Sequence, residues 1–397
     1  MKIFHTADWH LGKLVQGVYM TEDQEYILKQ FVQAIEEEKP DAVIIAGDLY
    51  DRAVPPTDAV HLLNDTLDKI VLQLKTPVLA IAGNHDSPGR INFGSKIMRD
   101  NGCHITGNLQ KEMEPIILHD EHGEVHFHLV PFCDPSVVRN IFEDEEIRSH
   151  NDAMRKITEE IKASMDPQAR HVLVGHAFVT PYGEEEANTS ESERPLSIGG
   201  SEYVDAAHFE GFHYTALGHL HKAHYVTNET IRYAGSPLKY SVSEENHKKG
   251  YFIVEMDGKG NVSLEKKELQ PRRDIRTVEA LLDELLEHPI NEDYVFINLT
   301  DETAVLSPME KVRSVYPNAM HVERKNYLFS PYSEVSTEKM ERTKMSDIEL
   351  FHAFYKEVKG TEASEEAEQL FKEVLDELLK EENETTSTHK ASNAVTN

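Results

Sequence analysis

Five short apolar runs, each ending in polar side chains, constrain the fold of this chain more than any other feature. Residues 78–82 form one run, which stops at Gly83 and is followed at once by Asn84, His85 and Asp86. Buried parallel strands are typically continuous apolar runs, and open α/β sheets carry their sites where such strands end. The other four runs end at these residues: Asp8 and His10; Asp48; His176; His219 and His221. The repetition predicts an α/β fold in which these side chains meet at the strand ends.

Amphipathic helices separate the first strands. Residues 22–39 and 58–74 place apolar side chains on one helical face, and each segment lies between two of the apolar runs. A strand, a helix and a second strand in that order predict a parallel pair joined by a crossover. Residues 103–131 alternate more between apolar and polar side chains, which predicts antiparallel strands of a second sheet. We therefore expect one large domain over residues 1–270.

A second, smaller domain is predicted to begin at Pro271. Residues 277–287 have the pattern of a helix, and residues 294–299 have the pattern of a strand. Together with the residues that follow, they predict a small α+β domain over residues 271–328.

The last part of the chain changes character again. Residues 329–345 are polar without a strong pattern and are interpreted as a linker. Residues 346–382 contain two amphipathic helices, and apolar-faced helices beyond a linker require a partner surface. Residues 383–397 have low hydrophobicity, and we expect them to form a disordered tail.

The composition limits the class of protein. No uncharged apolar run in the 397 residues is long enough for a transmembrane helix, so we expect no membrane association. A net charge of −30 argues against a protein that coats nucleic acid through a basic surface. It is compatible with a nucleic-acid enzyme that has local basic strips and divalent metal ions. Only two cysteines and no recognisable signal peptide favour the cytoplasm.

The polar residues at the strand ends have the chemistry of metal ligands. Their number exceeds what one tetrahedral zinc site needs, and their mixture of nitrogen and oxygen suits two divalent ions held close together. Imidazole and carboxylate ligands without thiolate fit manganese, iron or zinc better than copper(I). The candidate ligands are Asp8, His10, Asp48, Asn84, His176, His219 and His221.

These motifs resemble those of the calcineurin-like metallophosphoesterases, and the resemblance covers about residues 1–270. It implies a metal-binding sandwich of two mixed β-sheets flanked by helices. More narrowly, residues 5–12 (HTADWHLG), 47–51 (GDLYD) and 235–238 (GSPL) resemble the nuclease subunits of bacterial break-repair complexes.

The resemblance implies a role for each strand-end residue. One manganese ion would be bound by Asp8, His10, Asp48 and His221, and the other by Asp48, Asn84, His176 and His219. His85 would not be a ligand. It would lie over the scissile phosphate and protonate the leaving 3′ oxygen or stabilise the developing charge. Asp51 or Asp86 would orient His85, and the sequence does not choose between them.

The resemblance also implies a function and partners. The chain would be a manganese-dependent double-strand exonuclease and single-strand or hairpin endonuclease in DNA repair and recombination. Residues 271–328 would cap the active site and help to admit DNA, and residues 346–382 would dock on an SMC-like ATPase. The helix at 58–74 and the one after Asn84 would form a homodimer. Candidate phosphate contacts are Arg52, Arg90, Lys222, Lys239, Lys248, Lys249, Arg272 and Arg273.

Two other classes of function compete with a nuclease. The first is a small-molecule or protein phosphatase of the same superfamily, because residues 47–52 resemble serine/threonine phosphatases slightly. However, Asp86 stands where those enzymes have Glu after Asn-His, and they lack the predicted cap and tail. The second is a non-enzymatic adaptor with a decayed site, which the seven intact candidate ligands disfavour.

Overall fold

The computed structural model describes residues 1–182, 191, 193, 202–301, 303, 305–324, 346–359 and 361–375. The chain divides into one compact unit over Met1–Arg324 and a second over Lys325–Asn397. Both large sheets and the described residues between Pro271 and Arg324 belong to the first unit.

Two mixed six-stranded sheets form the centre of the first unit. The first sheet has the strand order Val262–Glu268, Gly250–Met256, Lys2–Thr6, Ala42–Ile45, Val78–Ile81 and Cys103–Thr106. The second has the order His224–Tyr225, Ile231–Tyr233, Tyr214–Gly218, Arg170–His176, Gly123–Val130 and Ile116–Asp120. Two short ribbons pair Phe178–Thr180 with Tyr203–Asp205, and Leu14–Val15 with Val18–Tyr19.

The strands that end in candidate ligands are parallel neighbours within each sheet. Lys2–Thr6 pairs in parallel with Ala42–Ile45, which pairs in parallel with Val78–Ile81. In the second sheet, Arg170–His176 pairs in parallel with Tyr214–Gly218. Parallel strands bring their carboxyl ends to the same edge, so the polar residues that follow them become neighbours.

Apolar side chains between the sheets join them face to face. Ile3, Ile44 and Leu79 of the first sheet share one buried cluster with Phe127 and Val174 of the second. Two further clusters lie on the outer faces, where helices cover each sheet. The predicted sandwich of two mixed sheets flanked by helices is therefore confirmed.

The helices of the first unit agree broadly with the sequence patterns. The long predicted helix over 58–74 is α-helical only to Leu67 and continues as a π-helix over Asp68–Gln73. No helix in the described part of the chain is long and apolar enough to cross a membrane. The α-helices are Thr21–Glu38, Thr57–Leu67, Pro88–Ile91, Ser95–Arg99, Pro135–Phe142, His150–Ser164, Leu282–Leu286 and Pro308–Val312, and the 3₁₀ helices are Ala206–Phe209 and Val242–Glu244.

The segment after Pro271 begins with a strand, so the helix predicted over 277–287 is wrong for the residues before Leu282. Ile275–Ala280 pairs in parallel with Tyr294–Leu299, and only Leu282–Leu286 is helical. His321–Arg324 completes a three-stranded sheet. The apolar positions fit either period over so short a segment, and pairing with a parallel partner distant in sequence decides for the strand.

The second unit contains two described helices, Asp347–Lys359 and residues 365–375. The rings of Phe351 and Phe371 stack with their centroids 4.2 Å apart, and His352 lies 3.1 Å from Glu368. The predicted linker at 329–345 and tail at 383–397 lie outside the described residues.

Candidate metal centre

The candidate ligands follow strands whose chains turn sharply at the sheet edge. Asp8, His10 and Asp48 have φ angles of 55°, 46° and 50°, and His219 has φ of 110°. Positive φ is uncommon for residues other than glycine and stores conformational strain. Strain at four candidate ligands points to a backbone shaped for function rather than for stability.

Two glycines allow the close approach of the candidate ligands. A Cβ atom on Gly47 would lie 2.2 Å from Nδ1 of His176, and φ at this glycine is 92°. A Cβ atom on Gly83 would lie 2.2 Å from Oδ1 of Asp48. A side chain at Gly47 would displace His176, and a side chain at Gly83 would displace Asp48.

Asp48 lies between two groups of histidines. Its Oδ2 atom is 3.5 Å from Nε2 of His10 and also 3.5 Å from Nε2 of His176. Its Oδ1 atom accepts a hydrogen bond of 2.9 Å from the main-chain N–H of His85. A carboxylate equidistant from two imidazoles has the position of a ligand that bridges two cations.

Asp8, His10 and His221 form the first group. Their ligand atoms all lie within 4.8 Å of one another, and Nε2 of His10 is 3.0 Å from Nε2 of His221. Nδ1 of His10 is buried and has no hydrogen-bond partner among the described residues. Two imidazole nitrogens directed at one point, beside a buried carboxylate, fit a divalent cation.

His176, Asn84 and His219 form the second group. Nδ1 of His176 lies 2.9 Å from the carbonyl oxygen of Ala46, to which it donates, so Nε2 carries the lone pair. That nitrogen lies 3.0 Å from Oδ1 of Asn84. His219 donates its main-chain N–H to Asp8 at 2.9 Å, and its ring centroid is 5.5 Å from that of His176. The structure thus brings all seven candidate ligands together.

Burial keeps the imidazoles neutral and the carboxyl groups out of water. Desolvation lowers the pKa of His10 and His219, and it lowers the pKa of His176 to about 4. Desolvation, and then the charge of Asp48, raises the pKa of Asp8. Neutral imidazoles are the metal-binding form, and a bound cation would compensate the charge of two adjacent buried carboxylates.

His85 lies beside the first group. Its ring centroid is 4.6 Å from that of His10, and its Nδ1 lies 2.7 Å from the main-chain carbonyl oxygen of Asp51. Of the two residues considered for orienting His85, Asp51 makes this contact, through its main chain. The carboxylate of Asp86 accepts instead from the main-chain N–H groups of Leu49, Tyr50 and Gly83.

Two comparisons with known proteins assign the chain to a family. The model of the calcineurin-like phosphoesterases matches residues 1–223, and that of the type 5 capsule protein repressor C-terminal domain matches residues 271–359. A protein of Staphylococcus epidermidis, named as the SbcD component of the nuclease SbcCD, is 36% identical over 96% of this chain and 100% of its own length. This chain belongs to the SbcD family of calcineurin-like phosphoesterases.

A second relative and a solved structure are also similar to this chain. A protein of the same name from Staphylococcus saprophyticus is 34% identical over 96% of this chain and 99% of its own length. Among solved structures, a dimetal phosphatase from Danio rerio superposes with a TM-score of 0.40 at 10% identity, over 68% of this chain and 96% of that chain. As a calcineurin-like phosphoesterase, this SbcD-family chain is a metal-dependent phosphodiesterase.

Sequence reasoning missed two residues that support the candidate site of this SbcD-family chain. Gln24 is buried in the helix Thr21–Glu38 and donates to the main-chain oxygens of Trp9 and His10 at 3.2 and 2.8 Å. Glu244 is buried behind His221. Neither residue follows a strand, and neither has a sequence spacing that singles it out.

Five of the candidate phosphate-binding cations form ion pairs with carboxylates, and in three of these pairs the cation is largely shielded from solvent. Lys239 lies 2.8 Å from Asp274, and Arg273 lies 3.0 Å from Asp23. Lys249 is buried and contacts Glu244. The charges of Lys239, Lys249 and Arg273 are therefore balanced by carboxylates of the same chain.

Proposed function

We propose that this chain is a manganese-dependent DNA nuclease, the nuclease subunit of a complex with an SMC-like ATPase of the SbcC type. The observation that carries the proposal is the convergence of six other buried or half-buried candidate ligands around Asp48. It occurs in a chain that is 36% identical to a protein named as the SbcD component of the nuclease SbcCD, over that protein's whole length. A double-strand exonuclease and a single-strand or hairpin endonuclease activity are the specific expectations.

Two divalent ions fit the donor set. We propose that Asp8, His10, Asp48 and His221 hold one ion, and that Asp48, Asn84, His176 and His219 hold the other. When bound, two such divalent metal ions supply a hydroxide nucleophile and stabilise charge on the phosphoryl oxygens. The chain keeps the imidazoles neutral through burial and fixes Nδ1 of His176 on the carbonyl oxygen of Ala46, which directs Nε2 into the site.

We propose that His85 acts on the leaving group. Its Nδ1 donates to the carbonyl oxygen of Asp51 at 2.7 Å, which fixes the ring and directs the chemistry to Nε2. From there a protonated ring would transfer a proton to the 3′ oxygen or stabilise its developing charge. Its main-chain N–H, bonded to Asp48, couples the position of His85 to the proposed bridging carboxylate.

Partner surfaces are proposed at two places. In the second unit, the helices Asp347–Lys359 and 365–375 pack through Phe351 and Phe371 and expose Leu370. We propose that this segment, within residues 346–382, docks on the ATPase. In the first unit, Phe93 and Ile97 are 86% and 76% exposed, an apolar surface suited to the proposed homodimer.

The first experiment is degradation of linear duplex DNA by the purified chain in manganese, with and without the ATPase. Asp48→Ala should abolish metal binding and cleavage together. Asp120→Ala is the control, because the carboxylate of Asp120, with a side chain 5% exposed, binds Arg170 rather than the site. Cleavage that Asp48→Ala retains would refute the proposal. Hydrolysis of a simple phosphate ester without DNA cleavage would favour the phosphatase.

A second experiment separates His85 from the ligands. His85→Gln keeps an N–H donor for the carbonyl of Asp51 but cannot carry the proton, so we expect cleavage to fall by about 10²–10⁴-fold. Elemental analysis should find both metal ions retained. Loss of metal from His85→Gln would show that the residue acts as a ligand rather than on the leaving group.

A third experiment tests docking of the ATPase. Deleting residues 346–382 should leave the isolated nuclease active and remove association with the ATPase in co-purification. Continued association of the truncated chain would place the ATPase contact elsewhere.

A further inference from the structure

A buried ion pair lies directly behind His221. Nδ1 of His221 lies 3.1 Å from Oε1 of Glu244, while its other ring nitrogen, Nε2, faces His10 at 3.0 Å. Glu244 is fully buried, and Lys249 is 7% exposed. The second oxygen of Glu244, Oε2, accepts a hydrogen bond from Nζ of Lys249 at 2.5 Å. The carboxylate therefore lies between the imidazole and the ammonium group.

Lys249 also binds the main chain of the same histidine. Its Nζ donates to the carbonyl oxygen of His221 at 2.8 Å and to Oγ of Ser236 at 2.8 Å. With the bond to Glu244, these contacts use all three donors of the ammonium group. The pair thus fixes His221 at both its ring and its backbone.

We propose that Glu244 and Lys249 are positioning residues that hold His221 in the geometry and tautomer needed to bind metal, an inference that rests on the proposed function. Accepting from Nδ1 places the ring proton there and leaves the lone pair of Nε2 directed at the site. A carboxylate on the far nitrogen also makes the imidazole a more basic ligand. Lys249 supplies the countercharge that a buried carboxylate requires.

A second buried ion pair provides the control for this proposal. Arg170 binds Asp120 through two hydrogen bonds of 2.9 and 2.6 Å, and both side chains are 5% exposed. Further polar contacts of this pair are with Gly123, Asp257, His122 and the amino group of Met1. None of these is a candidate ligand, so the pair reports the cost of removing a buried charge alone.

The experiment compares Glu244→Gln with Asp120→Asn in the full-length chain. Calorimetric titration with Mn²⁺ should show that Glu244→Gln weakens one of two sites by about 10–100-fold and leaves the other unchanged. The visible absorption of bound Co²⁺, which depends on ligand geometry, should change in Glu244→Gln. Asp120→Asn should keep the wild-type affinities and spectrum.

Each outcome bears on one of the two proposals. Wild-type affinities in Glu244→Gln, or an equal weakening in Glu244→Gln and Asp120→Asn, would overturn the positioning role. A wild-type chain that binds neither Mn²⁺ nor Co²⁺ would instead overturn the proposed function. If Glu244→Gln does not fold, Glu244→Asp keeps the charge for Lys249 but shortens the reach to His221. The same loss is then expected, and unchanged affinity refutes the role.

Discussion

Acid should destabilise this protein through a group of histidines in the second sheet, away from the metal centre. Nε2 of His171 lies 2.8 Å from the carbonyl oxygen of Asp166, to which it donates, so its Nδ1 is the acceptor for Nε2–H of His128 at 3.1 Å. Nδ1 of His213 accepts the main-chain N–H of His171 at 2.9 Å. Nδ1 of His128 is buried without a partner among the described residues. A proton added to His128 would have no acceptor.

The magnitude follows from the pKa of His128. Burial, followed by the neighbouring imidazoles of His171 and His126, lowers this pKa to about 3. In the unfolded chain the pKa of the same imidazole is about 6.5. Between these values the unfolded chain binds a proton that the folded chain does not, so stability present above pH 6.5 is lost as the pH falls. At pH 5 the loss from His128 is about 2 kcal/mol.

Urea denaturation at pH 7.5 and pH 5 measures this effect. His128→Gln keeps an N–H donor for His171 and does not titrate, so its free energy of unfolding should fall by about 2 kcal/mol less than that of the wild type. His119→Gln, at a side chain that is 65% exposed, should keep the wild-type pH dependence. An equal loss of stability in His128→Gln and the wild type would refute the reasoning.

Two further predictions concern the edge of the first sheet. Gly47→Ala would place Cβ 2.2 Å from Nδ1 of His176, so calorimetry should detect loss of metal binding. Gly17→Ala, at a glycine of φ 83° with nothing within 4 Å, should retain it, and retention in both variants would contradict the steric argument. Asp86→Asn removes one of the two carboxylate oxygens that accept three main-chain N–H groups, and we expect it to destabilise the fold by about 1–3 kcal/mol. An unchanged urea midpoint would show that Asp86 does not hold these loops.

The sequence determined the location of the site because the candidate ligands are tied to strand ends. The apolar run 78–82 predicts a buried strand and its end to within one residue, since the strand is Val78–Ile81, and Asn84 follows three positions later. Once strands are parallel neighbours, their ends must meet, so no further information is needed to bring Asp48 and Asn84 together. The same logic extends to the second sheet, which ends in His176 and His219.

Local pattern was insufficient where a pairing partner was distant or the segment was short. The helix expected at 277–287 is helical only over Leu282–Leu286, because the parallel partner Tyr294–Leu299 satisfies the backbone of Ile275–Ala280. Likewise, Lys249 has the sequence appearance of a surface cation, and only packing shows that it is buried against Glu244.

The sequence alone thus determined the fold class and which candidate ligands lie at the strand ends, since both follow from the period and the ends of single strands. Only the tertiary structure decided which atoms support those donors. Glu244 meets His221 across 23 residues, and Gln24 meets the main chain of His10 across 14. Such contacts are made by loops and helices whose relative placement comes from packing of the whole core, and no local periodicity records it.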